Sequence, residues 1–333
     1  MKYFKLKEIS EIKNGEQCNY SDKGIIPVYG SNGIIGYTDD LNAPENSIII
    51  GRVGANAGSV FYSLKKHWVS DNAISVVPNV NKVNPFYLYY VLFNLDLNRL
   101  VEGSAQPLIN QSILNSFEIS VPSLSVQTSV IEKIRVFDEK IAINNQINDN
   151  LMELKTTIFN KMFSINLTNC LNGKIKDIAE VRTGKRPKIK YSKKGSTPIY
   201  PIIGASKIMG YTDEYLYNKS IITTGRVGTL GIVKRYREPV WVSDNSFIFI
   251  TKYEDYLYEL LTHFINYSAL NIGSTQPLIT QTEFRNVDIY IPKREELIEF
   301  KEKVVTLTEQ QFELRQQNRL LNDLKSYLLS KLF

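Results

Sequence analysis

Two long stretches of the chain repeat apolar and polar residues with the period of an α-helix. The first covers residues 123–163 and the second covers residues 293–333. In both, apolar residues recur at spacings of three and four, which places them in one stripe along a helix, and neither stretch contains Gly or Pro. The sequence therefore predicts two long helices, and residues 125–163 alone would span roughly 58 Å at ~1.5 Å per residue.

A helix of this length is too long for one small domain to cover, so its apolar stripe needs a partner. We predict that the two helices pair with each other as a coiled coil. The residues predicted to make this contact belong to the two stripes and are Ile134, Phe137, Ile141, Leu151, Leu154, Val304, Leu307, Leu314, Leu321 and Leu324. Asn144 and Gln311 interrupt the stripes at different heptad positions, and we interpret both as residues that set the register of the pair.

The two helical stretches are copies of one sequence. Residues 103–163 align with residues 273–333 without a gap, and 19 of the 61 positions are identical. Each copy opens on Gly-Ser-x-Gln-Pro-Leu-Ile-x-Gln and passes a short apolar run that is closed by Pro122 or Pro292. The chain is therefore a tandem duplication, and we expect its halves to be related by a pseudo-two-fold axis.

The duplication also includes the region before each helix. Gly-Arg-Val-Gly occurs at 51–54 and 225–228, and Trp-Val-Ser-Asp-Asn occurs at 68–72 and 241–245. Short β-rich runs punctuated by Gly predict strands and tight turns, and the aromatic and Leu-rich segments 84–98 and 254–268 predict buried helices. Each half is thus predicted to be a mixed α/β (α+β) globule followed by its long helix. The predicted segments are 1–122, 123–163, 170–292 and 293–333.

Composition agrees with two ordinary intracellular domains. The chain has 333 residues, 43% of them hydrophobic, and no apolar run approaches the ~18 residues of a membrane span. The N-terminus lacks the pattern of a signal peptide, so we expect a soluble, cytoplasmic protein. The two cysteines, Cys18 and Cys170, occupy non-equivalent places in the two halves, as do the two histidines, so neither a shared disulfide nor a metal site is predicted.

Charge distinguishes the two halves. Residues 1–122 contain 10 Lys+Arg and 11 Asp+Glu, whereas residues 170–292 contain 17 and 11. Much of the basic excess lies between Lys185 and Lys194. Such a run is either a solvated surface loop or a surface that contacts phosphates.

Three catalytic motifs are partly matched by the sequence, and none of them is complete. The Gly-Arg-Val-Gly segments are too short for a phosphate-binding loop. The segment Asn-Pro-Phe-Tyr at 84–87 partly matches the motif of amino-methyltransferases, but it lacks the second Pro and has no counterpart in the other half. Acidic residues spaced two before a Lys lie on the helices without the preceding Pro-Asp of a nuclease site.

The ordered set of repeated motifs resembles the specificity subunit of type I restriction-modification systems, and the resemblance covers essentially the whole chain. It implies two target recognition domains that each read one half of a bipartite DNA sequence. It also implies that the antiparallel helices hold the domains apart and dock methyltransferase subunits. One departure is that family members usually have Gln in the first turn of each helix, whereas this chain has Gln127 in one and Leu297 in the other. The chain is also short for the family, which leaves the similar specificity subunits of type IIB systems as a close relative.

The resemblance also implies the partners and the absence of catalysis. The expected partners are double-stranded DNA and two DNA methyltransferase subunits, with restriction or translocase subunits as further ones, and no membrane. S-adenosylmethionine is expected on the methyltransferase and no cofactor on this chain, which is expected to be non-catalytic. Two other classes stay open from the residues alone: a two-domain binding scaffold with a coiled-coil spacer, and an enzyme with an unrecognised site.

Comparison of the two halves predicts where DNA bases are read. Positions identical in both halves cannot explain different base preferences, so Arg52 and Arg226 are predicted either to contact phosphates or to stabilise a turn by a salt bridge. The two tryptophans are predicted to be core strand residues. Base readout is predicted where the halves diverge, at 16–26 against 185–197 and at 61–67 against 234–240. The predicted DNA-binding residues are Gln17, Asn19, Arg52, Lys65, Lys66, Lys185, Arg186, Lys188, Lys190, Lys193, Arg226, Lys234, Arg235 and Arg237.

Overall fold

The structure is a computed structural model that describes residues 2–95, 97–100, 108–192 and 199–332. The start of the first Gly-Ser-x-Gln-Pro block, residues 103–107, and the predicted DNA-binding residue Lys193 lie outside the described residues. Contacts divide the chain into two compact units. Unit 1 consists of Met1–Asn144 and Gln316–Phe333, and unit 2 consists of Asn145–Arg315.

The described part of unit 1 contains three small sheets and three short α-helices before the first long helix. The strand orders are β2-β8-β5-β6, β4-β3-β7 and β1-β9. The elements are β1 (Lys2–Lys5), α1 (Leu6–Ile9), β2 (Ser10–Asn14), β3 (Ile26–Gly30), β4 (Gly33–Thr38), β5 (Ser47–Gly51), β6 (Val60–Ser63), β7 (Trp68–Val69), β8 (Ala73–Pro78), α2 (Pro85–Asn94), α3 (Gln111–Ser116), β9 (Glu118–Val121) and α4 (Leu124–Asn169), of which α4 continues into unit 2.

Unit 2 repeats this arrangement. Its described residues form sheets of order β11-β17-β14-β15, β13-β12-β16 and β10-β18. The elements are β10 (Gly173–Lys174), α5 (Ile175–Ile178), β11 (Glu180–Thr183), β12 (Tyr200–Ile203), β13 (Ile208–Thr212), β14 (Ile221–Gly225), β15 (Lys234–Tyr236), β16 (Trp241–Val242), β17 (Ser246–Ile250), α6 (Glu254–His263), α7 (Gln281–Arg285), β18 (Asp288–Ile289) and α8 (Arg294–Leu332), of which α8 ends in unit 1.

Strand registers are also repeated. Val28 pairs with Trp68 in parallel strands of unit 1, and Ile202 pairs with Trp241 in the same way in unit 2. The predicted mixed α/β duplication is therefore confirmed. The predicted buried helices at 84–98 and 254–268 are also present as α2 and α6, although they end earlier, at Asn94 and His263.

Local capping explains where several helices begin. The amide of Lys5, just before α1, donates to the Glu8 carboxylate at 2.7 Å, and the amide of Lys174 donates to Asp177 before α5 at the same distance. In both helices a carboxylate of the first turn accepts from the amide of the residue just before the helix, which is one half of a capping box. At α2 the Asn84 side chain accepts from the amides of Phe86 and Tyr87, whereas the residue before α6 makes no side-chain cap.

In unit 1 the beginning of α4 packs against the end of α8. Ile131 and Ile134 of α4 share one apolar core with Leu329 of α8. The Asp138 carboxylate accepts from Lys325 Nζ at 2.5 Å. Because Asp138 contacts residue 325 and Asn144 contacts residue 318, the two helices run antiparallel in this unit.

In unit 2 the end of α4 packs against the beginning of α8. The rings of Phe159 and Phe163 lie 5.6 and 5.5 Å from the ring of Phe300 and share its core. Further along, Lys155 Nζ donates to Gln311 Oε1 at 3.3 Å. Residue numbers again rise on one helix as they fall on the other, so the predicted antiparallel pairing is confirmed in unit 2 as well.

The prediction of which residues face the helix partner was wrong at two equivalent positions. Leu154 and Leu324 are 47% and 44% exposed, and the inward-facing residues beside them are Lys155 and Lys325. Hydrophobic periodicity predicts that the leucine of each pair faces the partner helix. The lysine faces inward instead, because at least one carboxylate of the same unit compensates its charge. The other predicted residues are buried or partly buried: Ile134, Phe137, Ile141, Leu151, Val304, Leu307, Leu314 and Leu321. Asn144 and Gln311 are also buried, and their role in setting register stays a prediction.

Gln127, in the first turn of α4, joins this helix to its globular domain. Its side chain is fully buried, accepts from the amide of Asn84 at 2.8 Å and donates to the carbonyl of Pro122 at 2.8 Å. The equivalent Leu297 lies instead within the apolar core of unit 2. The two first turns therefore join their domains by different interactions.

No helix within the described residues is long and apolar enough to cross a membrane.

We predict that residues 1–163 alone associate with a second copy of themselves. In unit 1, Asp138 binds Lys325, and the duplication places Lys155 at the equivalent position of the first helix. The second copy can thus supply the same ion pair and the same apolar stripe, in the isologous interface of a two-fold dimer. Light scattering should show a dimer, and Ile134→Asp, which places a charge in the buried stripe, should abolish it. A folded monomer at all concentrations would contradict the pairing.

Candidate nucleic-acid interface

Three repeated motifs meet at the same arginine in each unit. In unit 1 the amide of Arg52 donates to the carbonyl of Asn72 at 2.9 Å, and the carbonyl of Arg52 accepts from the amide of Ile109 at 2.9 Å. In unit 2 Arg226 makes the same two bonds, at 2.8 Å to Asn245 and 3.0 Å from Ile279. Gly-Arg-Val-Gly is therefore bonded through its backbone to both Trp-Val-Ser-Asp-Asn and the Pro-Leu-Ile segment.

The arginine side chains bind backbone rather than carboxylates. Arg52 Nη1 donates to the carbonyl of Asp71 at 3.4 Å, and Arg226 Nη1 donates to the carbonyl of Asp244 at 3.4 Å. In both residues Nε is buried without a hydrogen-bond partner among the described residues. Among the described residues these arginines therefore make no salt bridge of the kind predicted for the turn, and phosphate contact by them stays a prediction.

The repeated tryptophans hold the start of a divergent loop. Trp68 Nε1 donates to the carbonyl of Glu16 at 3.1 Å, and Trp241 Nε1 donates to the carbonyl of Lys185 at 2.6 Å. The preceding glycine packs against backbone, since a Cβ on Gly15 would lie 2.1 Å from the carbonyl oxygen of the serine that follows the Trp-Val pair. Gly184 is equally close to its serine. Both loops therefore leave the same point of the fold.

The loop of unit 2 is exposed and basic. Its side chains Lys185, Arg186, Lys188 and Lys190 are exposed, and the loop runs beside β13 because Tyr191 and Tyr211 exchange two backbone hydrogen bonds. Arg186 is 87% exposed and forms an ion pair with Asp244 of the Trp-Val-Ser-Asp-Asn motif, with 2.7 Å between Nε and Oδ2. These four predicted residues lie together on one loop.

The loop of unit 1 follows a similar course without the positive charge. Gln17 and Asn19 are exposed, and the loop runs beside β4 because the carbonyl of Asn19 accepts from Thr38 Oγ1 at 2.8 Å. Counted from the two anchoring glycines, Gln17 occupies the position of Arg186. The two units therefore present different side chains from equivalent backbone positions.

The strands and tight turn of the hairpin beside each loop are predicted from the sequence, but the exposure of their apolar side chains is not. Ile34, Ile35 and Tyr37 in unit 1 are 50%, 43% and 49% exposed. Ile208 and Met209 take this place in unit 2 and are also exposed. Apolar residues in a strand are ordinarily predicted to lie in the core. Here only the flanking glycines indicate a hairpin, and its apolar side chains are exposed. Tyr20 of the loop packs on Gly36, where a Cβ would lie 2.7 Å from the ring.

The second divergent segment of unit 2 is split between two faces by strand alternation. Lys234 Nζ donates to the carbonyl of Ser206, next to the hairpin, at 2.7 Å. Arg235 points the opposite way, is 7% exposed and binds Asp255 at 2.8 Å. Arg237 lies on the same side as Arg235 and binds Glu309 of α8 at 2.7 Å. The assignment of Arg235 to the DNA surface is therefore corrected, because its guanidinium is enclosed by an internal ion pair.

The corresponding segment of unit 1 covers a buried histidine. Lys65 and Lys66 are exposed at the turn after β6, and below them His67 is fully buried. His67 Nδ1 lies 2.9 Å from the carbonyl of Lys65, and Nε2 lies 3.4 Å from Ser47 Oγ. Burial lowers the pKa of His67, and the bond to the Lys65 carbonyl only partly opposes this effect.

We predict that unit 1 loses stability as the pH falls below about 6.5, the ordinary pKa of histidine. Because the folded pKa is lowered, the unfolded chain binds more protons in this range, and stability falls with falling pH. The matched variant is His67→Val, since Val240 is buried at the equivalent place in unit 2. Urea unfolding followed by Trp68 fluorescence between pH 7.5 and 5.5 should show a flatter pH dependence in the variant. Identical profiles would contradict the prediction.

The described residues hold no cluster of His, Cys, Asp and Glu that could bind a metal ion.

Comparisons with known proteins agree with the repeated fold. A Haemophilus influenzae protein described as a type I restriction enzyme specificity subunit is 24% identical over 325 residues, covering 86% of this chain and 81% of its own. The MjaVIII specificity subunit of Methanocaldococcus jannaschii is 23% identical over 299 residues, covering 76% and 70%.

One solved structure shares the fold over the whole chain. It is the crystal structure of a type I restriction-modification system S subunit from M. genitalium, with a TM-score of 0.59, 17% identity and coverage of 100% of this chain and 96% of that one. The family model for the type I restriction modification DNA specificity domain matches residues 1–153 and again residues 171–325. Since these two matches include nearly all of the duplicated sequence, the chain belongs to the type I restriction modification DNA specificity family.

Proposed function

We propose that the anchored loop and the adjacent hairpin of each unit read one half of a bipartite DNA target. The observation that supports this proposal most is that equivalent hydrogen bonds, from a tryptophan side chain to a loop carbonyl, hold loops of different sequence that begin at Glu16 in one unit and at Lys185 in the other. Residues 1–122 and 170–292 then act as the two target recognition domains. Their shared residues position the DNA, and the divergent residues give each domain its own base preference.

The side chains on these surfaces fit different kinds of DNA contact. Gln17 and Asn19 have amides that can bind adenine, and Arg186 has a guanidinium that can bind guanine in the major groove. Its ion pair with Asp244 would hold the guanidinium in place before DNA binds. The exposed apolar residues of the hairpins can contact thymine methyl groups. Lys65, Lys66, Lys185, Lys188 and Lys190 are better suited to phosphates, whereas Lys234 and Arg237 are held by contacts within unit 2 and would have to release them.

The helices supply a second surface, for protein partners. Large apolar side chains of the long helices remain exposed in each unit although the pairing faces are covered: Val136, Ile143, Leu320 and Leu324 in unit 1, and Ile147 and Leu154 in unit 2. Exposed apolar residues of this kind favour a protein contact. We propose that two methyltransferase subunits bind there in the cytoplasm, with S-adenosylmethionine on those subunits, and that this chain itself catalyses no reaction.

Removing the charges of Lys188 and Lys190 should weaken binding to every DNA sequence. Each phosphate contact that is lost should reduce the slope of log affinity against log salt by about 0.9. The double variant Lys188→Ala with Lys190→Ala therefore tests whether this loop touches the backbone of DNA. The matched control is Lys301→Ala with Lys303→Ala, two exposed lysines of α8. Equal slopes in the variant and the parent would mean that the loop is only a solvated surface.

A second substitution in the same loop distinguishes base readout from phosphate contact. Arg186→Gln places in unit 2 the side chain that unit 1 has at the equivalent position. It should change the preferred base pair at one position of one half-site, whereas loss of Lys188 and Lys190 should leave the preference unchanged. Affinity selection from a random DNA pool measures both.

The purified chain should transfer no methyl group to DNA, and the same chain with its methyltransferase should methylate a bipartite target. Incubation with labelled S-adenosylmethionine and genomic DNA separates the two cases. Methyl transfer by the chain alone would contradict the non-catalytic role. Failure of the methyltransferase to co-purify with the chain would instead contradict the proposed helix surface.

A further inference from the structure

A small cavity in unit 2 is surrounded by positive charge. It lies where β15 and α6 meet the paired parts of α4 and α8, and its volume is ≈ 20 Å³. Among the described residues its lining contains four cations, Lys155, Arg235, Arg237 and Arg315, and no carboxylate. The remaining lining residues are neutral and are Tyr258, Thr308, Gln311 and Phe312. A cavity of this size accommodates about one water-sized species.

Two of the lining cations are buried and have unused donor capacity. The side chains of Lys155 and Arg235 are 2% and 7% exposed. Arg235 Nη1 donates to Asp255 at 2.8 Å, but its Nη2 is buried and bonds to no described residue. Lys155 Nζ uses one of its three hydrogens for Gln311 Oε1 at 3.3 Å and lies 3.7 Å from Glu259 and 4.0 Å from Asp255, which is longer than a charge-assisted hydrogen bond. Both groups therefore lie beside the cavity with hydrogens left to donate.

The electrostatic field at the cavity is positive. Burial and the neighbouring Arg235 lower the pKa of Lys155 to about 8, although Glu259 and Asp255 oppose them, and Arg315 lowers it further. Burial alone would raise the pKa of Asp255, but Arg235 and Lys155 hold it below its usual value. Asp255 therefore stays charged beside Arg235 and Lys155. Arg237 is compensated by Glu309, and Arg315 adds a further positive charge to the cavity lining.

We propose that this cavity binds a monovalent inorganic anion of the halide class. Arg235 Nη2 and Lys155 Nζ are its donors, and the exposed Arg315 lies at the cavity with a further positive charge. A neutral water molecule could accept from the same donors but would leave their charge uncompensated, whereas a monovalent anion both accepts from them and balances the charge. Phosphate and sulfate have five heavy atoms and exceed the cavity. A bound halide would connect β15 of the recognition domain to α4 and α8 through charge-assisted bonds.

Unit 1 lacks this arrangement at the equivalent positions. Lys325, which corresponds to Lys155, makes a direct 2.5 Å contact with Asp138. Tyr62 corresponds to Arg235, since Ile48 pairs with Tyr62 as Ile222 pairs with Arg235. Tyr62 stacks on Phe86 with 4.4 Å between ring centroids. The two units therefore provide an internal comparison, in which the halide should stabilise unit 2 alone.

Thermal unfolding of the full chain tests the proposal, because each unit contains one of the two tryptophans. Trp68→Phe leaves Trp241 to report on unit 2, and Trp241→Phe leaves Trp68 to report on unit 1. Sodium chloride or bromide is compared with sodium gluconate at equal ionic strength, since gluconate is too large to enter. We expect halide to raise the unit 2 midpoint by roughly 2–4 °C and to leave the unit 1 midpoint unchanged. Equal midpoints in halide and gluconate, or the same rise in both units, would overturn the proposal.

Variants locate the effect. Lys155→Met and Arg315→Gln should each remove the difference between halide and gluconate in the Trp68→Phe background, and Arg294→Gln, an equal charge change on the exposed start of α8, should retain it. Because Arg315 is an exposed residue, its variant is informative even where Lys155→Met fails to fold. A difference that persists in Arg315→Gln would place the anion elsewhere and overturn the assignment.

Discussion

The two long helices cannot bury their inner faces alone, and the organisation of both units depends on this constraint. An isolated helix with an apolar stripe is marginal in water, so that each stripe must be covered by a partner. Here each long helix is covered by the other long helix. Leu329 completes the core around Ile131 and Ile134 in unit 1, and Phe300 completes the core around Phe159 in unit 2. A recognition domain and its own helix are therefore not sufficient to form either core.

Equivalent helix positions are used differently in the two units. Lys155 and Lys325 occupy the same place in the duplicated sequence, and both face inward. Lys325 meets one carboxylate beside an aromatic group that includes Tyr90. Lys155 meets two carboxylates and lies with three further cations in the lining of the unit 2 cavity. The surrounding domain thus decides whether the lysine is compensated by a direct pair or by a larger network, although the helices themselves are similar.

Much of the architecture could be predicted from the sequence because duplication and periodicity are local properties. The helices, the repeated strands and the positions of the divergent loops follow from them. The burial of Lys155 could not be predicted in this way, since its carboxylate partners Asp255 and Glu259 lie about a hundred residues away. Arg235 was misassigned because a basic residue in a divergent segment was expected on the surface, whereas strand alternation turns it inward from Lys234. The exposure of the hairpins was missed because apolar residues in a strand ordinarily indicate a core.

The anchors of the loops have a consequence for how new specificities can arise. Trp68 and Trp241 bind main-chain carbonyls, and the glycine before each loop packs against main-chain atoms. None of these contacts depends on the identity of the loop side chains that follow. A loop can therefore exchange its sequence without a compensating change in the core, and a segment taken between Gly15 and β3, or between Gly184 and β12, is a natural unit for grafting. A change of loop sequence then alters only the surface, where most substitutions have little effect on folding stability.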